Sequence, residues 1–286
     1  MTRKLLLHIG MHKCGSTYLQ QVLLRNQARL EAAGIAYPHK GVGHPGNAEG
    51  IESANSGRLA ALFGPHDRLV LSYEDLISQG AAAQPFARAV TTLGAEVEIV
   101  AFIRPFSEIV FGDYSQVMKQ HFRTFIAAGA AYGGKSFERF AVARSRQMNP
   151  RGWLRAWRQA LPAARFTLAS HRAIRGTVEP FLAGAEVSWE VPRHLTNPSL
   201  RTEDCDRIAA MITAGDLPGR RIVERVKEAL HAPSTPDAGR TPERQAWIEA
   251  VFEHHNIALL KEFGYDNRLP APAISALPEP IAEGAA

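Results

Sequence analysis

The stretch from Lys4 to Leu24, KLLLHIGMHKCGSTYLQQVLL, sets an apolar run, a glycine-bounded turn and a helical pattern end to end. Leu5, Leu6, Leu7 and Ile9 are apolar without alternation, as expected of a strand buried on both faces of a parallel sheet. Tyr18, Leu19, Val22, Leu23 and Leu30 then recur at helical intervals as far as Gly34. A strand that feeds a helix in this way needs a crossover to a parallel neighbour, so the rest of the chain is constrained toward an α/β architecture.

The remaining segments fit that frame. Arg68 to Tyr73 (RLVLSY) reads as a second strand and Val97 to Ile103 (VEIVAFI) as a third, with an alanine-rich helix from Pro85 to Leu93 between them. Arg104-Pro105 opens a long helix, Phe106 to Ala128, since proline suits a first helical turn. Helices follow near Ser136 to Gln147 and Arg151 to Ala160, Arg165 to Ala169 is a fourth strand, and Glu186 to Val191 a weaker one. After Asn197-Pro198 the pattern is helical: Thr202 to Thr213 with Thr202 as N-cap, Arg220 to Leu230, and Glu243 to Phe263 ending at Gly264. The expected fold is a three-layer parallel sheet flanked by helices, forming one α/β domain over residues 1–269, mostly helical from 202 onward. His231 to Thr241 reads as a loop or hinge, and Pro270 to Ala286 as a low-complexity, disordered tail.

At 286 residues the chain can bury a core without metals or disulfides, and its two cysteines, Cys14 and Cys205, are read as reduced thiols. The first apolar run stops at His8 and no later one approaches bilayer length, so a soluble, cytoplasmic protein is expected. A net charge of +5 favours an anionic ligand, but the basic residues are mixed with acids and form no stripe with interleaved aromatics. Nucleic acid is therefore not the expected partner. His121, His254 and His255 lack metal-ligand spacing, and the four tryptophans, Trp153, Trp157, Trp189 and Trp247, are read as packing residues.

Gly10 to Thr17, GMHKCGST, has the two glycines of a phosphate loop but no lysine after the second; the lysine is Lys13. Anion binding survives that relocation. Amide groups of the turn and of the helix N-terminus face a ligand, Lys13 adds a cation, and the Ser16 and Thr17 hydroxyls donate to phosphate oxygens. The competing reading is a plain strand–helix turn with Lys13 in solvent and Ser16 as a cap.

Lys13-Cys14-Gly15-Ser16-Thr17 resembles the 5′-phosphosulfate loop of sulfotransferases that use 3′-phosphoadenosine 5′-phosphosulfate (PAPS), a Lys-x-Gly-Thr/Ser-Thr/Ser pattern after the first strand. The resemblance implies a P-loop NTPase-like sulfotransferase fold. It also implies that Lys13, Ser16 and Thr17 hold the 5′-phosphate, that Gly15 gives close backbone approach, and that Lys13 stabilises charge on the leaving oxygen. Ile103 to Gln116, IRPFSEIVFGDYSQ, is similar to the family's 3′-phosphate segment, with Arg104 at the arginine position. The run Asp113-Tyr114-Ser115-Gln116 is closest to the bacterial and carbohydrate (heparan-type) members. Where the family has a serine, this chain has Gly112. Arg104 can equally be a surface residue paired with Glu108 at helical spacing. The family's C-terminal arginine-lysine-glycine loop has no clear counterpart; Gly219-Arg220-Arg221 and Gly239-Arg240 are the basic candidates.

Sulfuryl transfer to a hydroxyl needs a base for the acceptor proton and a cation for the departing phosphate. By resemblance to carbohydrate-modifying members the base is Glu74, at the end of the second strand, with His39 and His44 in the glycine-rich loop from Tyr37 to Gly57 as alternatives. That loop is expected to help form a substrate entrance. Glu74 and Asp75 also suit the start of a helix. The expected function is transfer of a sulfuryl group from PAPS to a hydroxyl of a small-molecule or glycan acceptor, a carbohydrate or glycolipid rather than a flat phenol, without a metal. The alternatives are an ATP-dependent P-loop kinase, with Glu74 or Asp75 holding its metal, and a nucleotide-binding scaffold without activity.

Overall fold

The computed structural model describes residues 2–196, 199–231 and 236–269. An all-parallel sheet is built from β1 (Lys4–His8), β2 (Ile35–Ala36), β3 (Arg68–Ser72), β4 (Glu96–Ile103) and β5 (Arg165–Ser170), in the order β2-β3-β1-β4-β5. The flanking helices, in chain order, are α1 (Ser16–Arg25), α2 (Gln27–Ala32), α3 (Ser56–Phe63), α4 (Gly80–Leu93), α5 (Phe106–Ala128), α6 (Phe137–Gln147), α7 (Pro150–Ala160), α8 (Ile174–Val178), α9 (Thr202–Ala214), α10 (Gly219–His231), α11 (Pro242–Val251) and α12 (Glu253–Phe263).

The unalternating apolar run at β1 has its expected cause. Leu5, Leu6, Leu7 and His8 are all buried although neighbours point to opposite faces, so both faces of the central strand are covered. Truncating Leu6 there would cost about 2–5 kcal/mol. One hydrophobic cluster runs from these leucines through β3, β4 and α5 to Ile222, Val226, Ile248 and Leu259 of the C-terminal helices. Among the described residues no helix is long and apolar enough to cross a membrane.

Sheet register fixes where a ligand would sit. His8 is level with Ser72 of β3 and Val100 of β4, so β4 continues three residues further, to Ile103, and Ser170 of β5 ends beside Ile103. The chain leaves β1 toward β3 and leaves β4 toward β5. The C-terminal ends of β1 and β4 therefore form the switch point of an open parallel sheet, the place where such sheets bind ligands.

Several expectations are corrected. The weak strand at Glu186 to Val191 does not form. Side chains hold that backbone instead: Tyr18 donates to the Trp189 carbonyl at 2.9 Å, Asn26 Nδ2 to Ser188 at 2.8 Å and Arg29 to Glu186 at 3.0 Å, while Ser188 N–H donates to Asn26 Oδ1. Asn26, buried in that clamp, also breaks the single helix expected up to Gly34 into α1 and α2. The helix expected over Glu243 to Phe263 breaks at Phe252, which is buried and stacked on Phe106 at 5.0 Å. Helix α4 starts at Gly80, so Pro85 lies inside it and forfeits one backbone bond.

Thr202 is not the N-cap of α9. Arg201 is, and Asp237 does the capping by accepting the Thr202 and Glu203 amides at 2.7 and 3.2 Å. Residues 236–241 are thus packed on α9 rather than swinging as a hinge; residues 232–235 and the tail at 270–286 lie outside the described residues. Trp157 is fully buried, with its indole N–H on the Leu76 carbonyl, but Trp247 is 37% exposed and is no core residue.

Candidate functional site

The loop after β1 is shaped by two close approaches. Gly10 has φ 60°, and a Cβ there would lie 2.6 Å from the Glu74 Cα, so glycine is what lets the loop rest against the turn leaving β3. The two strand exits are stitched together by Tyr73 N–H to His8 O at 3.2 Å and Ile77 N–H to Ile9 O at 2.7 Å. Gly15 is the left-handed N-cap of α1, and no side chain caps that helix. Its first amides therefore have no intrahelical acceptor and are offered to the loop side, as an anion site requires. Ser16 is buried with its Oγ lacking a hydrogen-bond partner, which removes the reading of Ser16 as a cap.

Lys13 adopts φ 61°, a left-handed conformation that costs a non-glycine residue about 1 kcal/mol or more. Three contacts hold it there. Its backbone N–H donates to Glu74 Oε1 at 3.3 Å, its stem runs over Gly112 of α5, and its Nζ donates to Gln116 Oε1 at 3.0 Å. The stem is so close that a Cβ on residue 112 would sit 3.1 Å from Lys13 Cγ. Gly112 is thus the space Lys13 occupies. Burial lowers the Lys13 pKa, the Glu74 and Asp113 carboxylates pull it back up, and Arg104 pushes it down. Lys119, on α5, is pushed down to about 8 by burial and then by the charge of Lys13.

Glu74 begins a short 3-10 turn, Glu74–Ser78, and its carboxylate is about a quarter exposed at 24%. It starts a helical turn, as one of its sequence readings expects, and it also faces the loop, accepting the Lys13 amide. His12 enters the same group, its Nδ1 lying 4.0 Å from Glu74 Oε1 and 3.4 Å from Asp75 Oδ1. Together these residues line a cleft of about 760 Å³ that also takes in Thr17, His44 and Gln116.

The two histidine alternatives separate. His39 Nδ1 accepts the Gly41 amide, so Nε2 carries the proton and donates to the His44 carbonyl at 2.7 Å; both nitrogens are spent on shaping the loop. His44 uses only Nδ1, for the Gly46 amide at 3.1 Å, and lines the cleft. The glycine-rich loop is fastened rather than open. Asn47 exchanges backbone and side-chain bonds with Ser72 and Val70 at the end of β3, and beneath it His8, pushed down to about 3 by burial, meets Ser72 Oγ at 2.8 Å.

Arg104 follows β4 across the switch point, and its charge reaches both Lys13 and Cys14. The expected Glu108 pairing is present at 3.8 Å, and the Asn267 side chain donates to the Arg104 carbonyl at 3.0 Å. Lys13, Gly15, Ser16, Thr17 and Glu74 therefore converge at the end of β1 and β3, with Arg104 beside them. The basic candidates further along lie elsewhere: Arg221 pairs with Glu224 at 3.2 Å, and Arg240 lies on Asp237 and over the Phe111 ring.

Sequence reasoning missed His12, Lys119 and the Asp113–Arg144 pair, in which Arg144 Nε donates to Asp113 Oδ2 at 3.0 Å at the cleft wall. His12 adjoins Lys13 and was legible in principle, whereas Arg144 is brought in from α6 by packing alone. Among the described residues no three His, Cys, Asp or Glu side chains cluster in a way that could hold a metal. No family model matches the chain, and no curated protein matches it.

Proposed function

We propose that the protein is a PAPS-dependent sulfotransferase of P-loop-like fold that transfers a sulfuryl group to a hydroxyl of a polyhydroxylated, carbohydrate-type acceptor. The observation that carries this reading is Lys13. It is held in a left-handed conformation within the first loop, with its ammonium on Gln116 at the cleft wall. The groups present suit a nucleotide phosphosulfate: uncapped amides at the start of α1, an unpartnered Ser16 hydroxyl, Thr17 on the cleft wall and Arg104 across the switch point.

In this reading the acceptor oxygen attacks sulfur in line with the departing phosphate oxygen. An O–S bond forms, the S–O bond to the phosphate breaks, and 3′,5′-ADP leaves. Glu74 takes the acceptor proton, and Lys13 neutralises charge on the leaving oxygen. The Lys13 amide on Glu74 Oε1 keeps base and cation at a fixed separation. The carbohydrate preference is supported by a cleft lined with Gln116, Gln120, Gln147, His44 and Asp75, groups that hydrogen-bond polyols better than they stack on a flat phenol.

The adjacent acids Glu74 and Asp75 on the cleft wall favour a second reading, a magnesium-dependent kinase. Calorimetry with 3′,5′-ADP, and separately with ATP and magnesium, decides between them. Micromolar to sub-millimolar binding of 3′,5′-ADP without magnesium is expected, together with metal-independent transfer of labelled sulfate from PAPS to a panel of sugars. Absence of 3′,5′-ADP binding would overturn the proposal, and binding without transfer to any acceptor would leave a nucleotide-binding scaffold. Lys13→Ala should abolish transfer with little change in melting temperature; equal activity in that variant removes Lys13 from the mechanism.

A further inference from the structure

The first loop carries a second polar side chain that the mechanism above leaves unused. His12, immediately before Lys13, is 42% exposed and lines the cleft beside Glu74 and Asp75. Its Nδ1 lies 3.4 Å from Asp75 Oδ1 and 4.0 Å from Glu74 Oε1. A lone pair aimed at two carboxylates would be repelled, so the proton of the neutral ring belongs on Nδ1. Nε2 is then an acceptor only. The two cations of the cleft are engaged elsewhere, Lys13 on Gln116 and Arg144 on Asp113 and Gln147, so neither supplies a donor for it. Glu74 is divided in a similar way. The Lys13 amide donates to Oε1 and the His12 Nδ1 faces the same oxygen, which leaves Oε2 to take the acceptor proton. Nε2 and Nδ1 share one imidazole ring, so the two unused acceptors, His12 Nε2 and Glu74 Oε2, stand close together on one wall of the cleft.

We propose that His12 is an acceptor-specificity residue: its Nε2 accepts a hydrogen bond from the hydroxyl next to the one being sulfated, so that the protein selects vicinal diols over isolated alcohols. The assignment rests on the transferase reading above and adds to it a residue and a substitution pattern. Neighbouring hydroxyls of a sugar ring reach two separate acceptors at ordinary hydrogen-bond lengths of about 2.7–3.0 Å. Glu74 Oε2 takes the proton of the attacking oxygen. His12 Nε2 takes only a hydrogen bond from the second hydroxyl, and no covalent bond to it is made or broken. An isolated alcohol displaces water from Nε2 without replacing the lost bond, and that is the source of the discrimination. Asp75 is a positioning residue, touching no acceptor but holding the ring proton on Nδ1 so that Nε2 keeps its lone pair. Because His12 adjoins Lys13, one loop both grips the leaving phosphate and orients the acceptor.

The test has two arms, both on the full chain. Long-range proton–nitrogen NMR of histidine-labelled protein, at a pH where the ring is neutral and with His12→Ala identifying the signal, should show His12 as the Nδ1–H tautomer. The Nε2–H tautomer overturns the inference, because Nε2 would then donate rather than accept. The second arm follows labelled sulfate from PAPS to the best sugar of the panel above, to its analogues deoxygenated at either carbon beside the sulfated one, and to an analogue deoxygenated further round the ring. Wild type should lose about tenfold in kcat/KM with one of the neighbouring deoxy sugars, the worth of one hydrogen bond, and little with the distant one. In His12→Ala the parent sugar and that neighbouring deoxy analogue should become equivalent, through a higher KM for the parent rather than a lower kcat. A preference for the parent that persists in His12→Ala, no such preference in wild type, or a loss carried by kcat overturns the inference while the transferase reading stands. Transfer to no sugar at all refutes the transferase reading, and this inference with it.

Discussion

Replacing Gly112 by serine sets the resemblance and the structure against each other. The resemblance expects gain, because serine restores a phosphate-binding hydroxyl. The packing expects loss. A Cβ at residue 112 would lie 3.1 Å from Lys13 Cγ, 3.4 Å from its Cβ and 3.5 Å from its Cδ, against an ordinary carbon–carbon contact of about 3.5–4.0 Å. The Lys13 stem must then move by a few tenths of an ångström, with its backbone held by Glu74 and its Nζ by Gln116. Rotating it off its rotamer costs about 0.5–1.5 kcal/mol, and losing the Gln116 bond costs about 1 kcal/mol. Either route, or part of both, gives about 1–2 kcal/mol, a loss of roughly 5- to 30-fold in affinity. Global stability should barely change, since leaving glycine in a helix interior gains about 0.5 kcal/mol, which partly offsets the strain. Calorimetry with 3′,5′-ADP and thermal unfolding measure the two effects, and Gly112→Ala isolates the Cβ from the hydroxyl. Tighter binding by Gly112→Ser than by wild type would refute the argument that this glycine exists to make room for Lys13.

Glu74→Gln should keep nucleotide affinity within about twofold while abolishing transfer, because the glutamine oxygen can still accept the Lys13 amide; unchanged turnover would pass the role of base to His44. Cys14 and Cys205 are buried, and burial pushes both thiols up to about 12, so at pH 8 only about one in ten thousand would be thiolate. Aromatic disulfide reagents should label neither until the protein unfolds, and labelling within minutes would contradict their burial. Glu262 accepts from Arg155 and Arg151, and those bonds, above all that from Arg155, lower its pKa from the ordinary 4.5 to about 2. A depressed carboxylate stabilises the fold above its unfolded pKa and loses that contribution as pH falls toward the folded value, here between about 4.5 and 2. Melting temperature should therefore drop across that window in wild type and less steeply in Glu262→Gln; parallel profiles would remove the α7–α12 cluster as a source of acid sensitivity.

Local pattern carried much of this architecture. Uninterrupted apolar runs at Leu5, Val70 and Ile99 marked strands buried on both faces, and Arg104-Pro105 marked the entry to α5, because strand burial and proline geometry act within a few residues. Gly10, Lys13 and Gly15 were visible as a loop in search of an anion. Where the reading went astray, a distant side chain had taken over a local task. Tyr18, Asn26 and Arg29 hold the backbone that was expected to pair as a strand at Glu186, and Asp237 caps α9 in place of Thr202. Propensity sees neither, since both depend on contacts across tens of residues.

What the sequence by itself determined is the order of strand, glycine loop and helix, and the residue types offered at the sheet's C-terminal edge. Only the tertiary structure decided what those residues are to one another. It gave Gly10 its meaning as the point where the loop touches Glu74, turned Gly112 from a missing hydroxyl into the channel for the Lys13 stem, and set Glu108 among Arg104, His171 and Arg172. The physical reason is register. A three-residue overhang of β4 beyond β1, shared with β5, brings the first loop, Arg104 and His171 to one edge, and strand register is fixed by packing of both sheet faces rather than by any single segment.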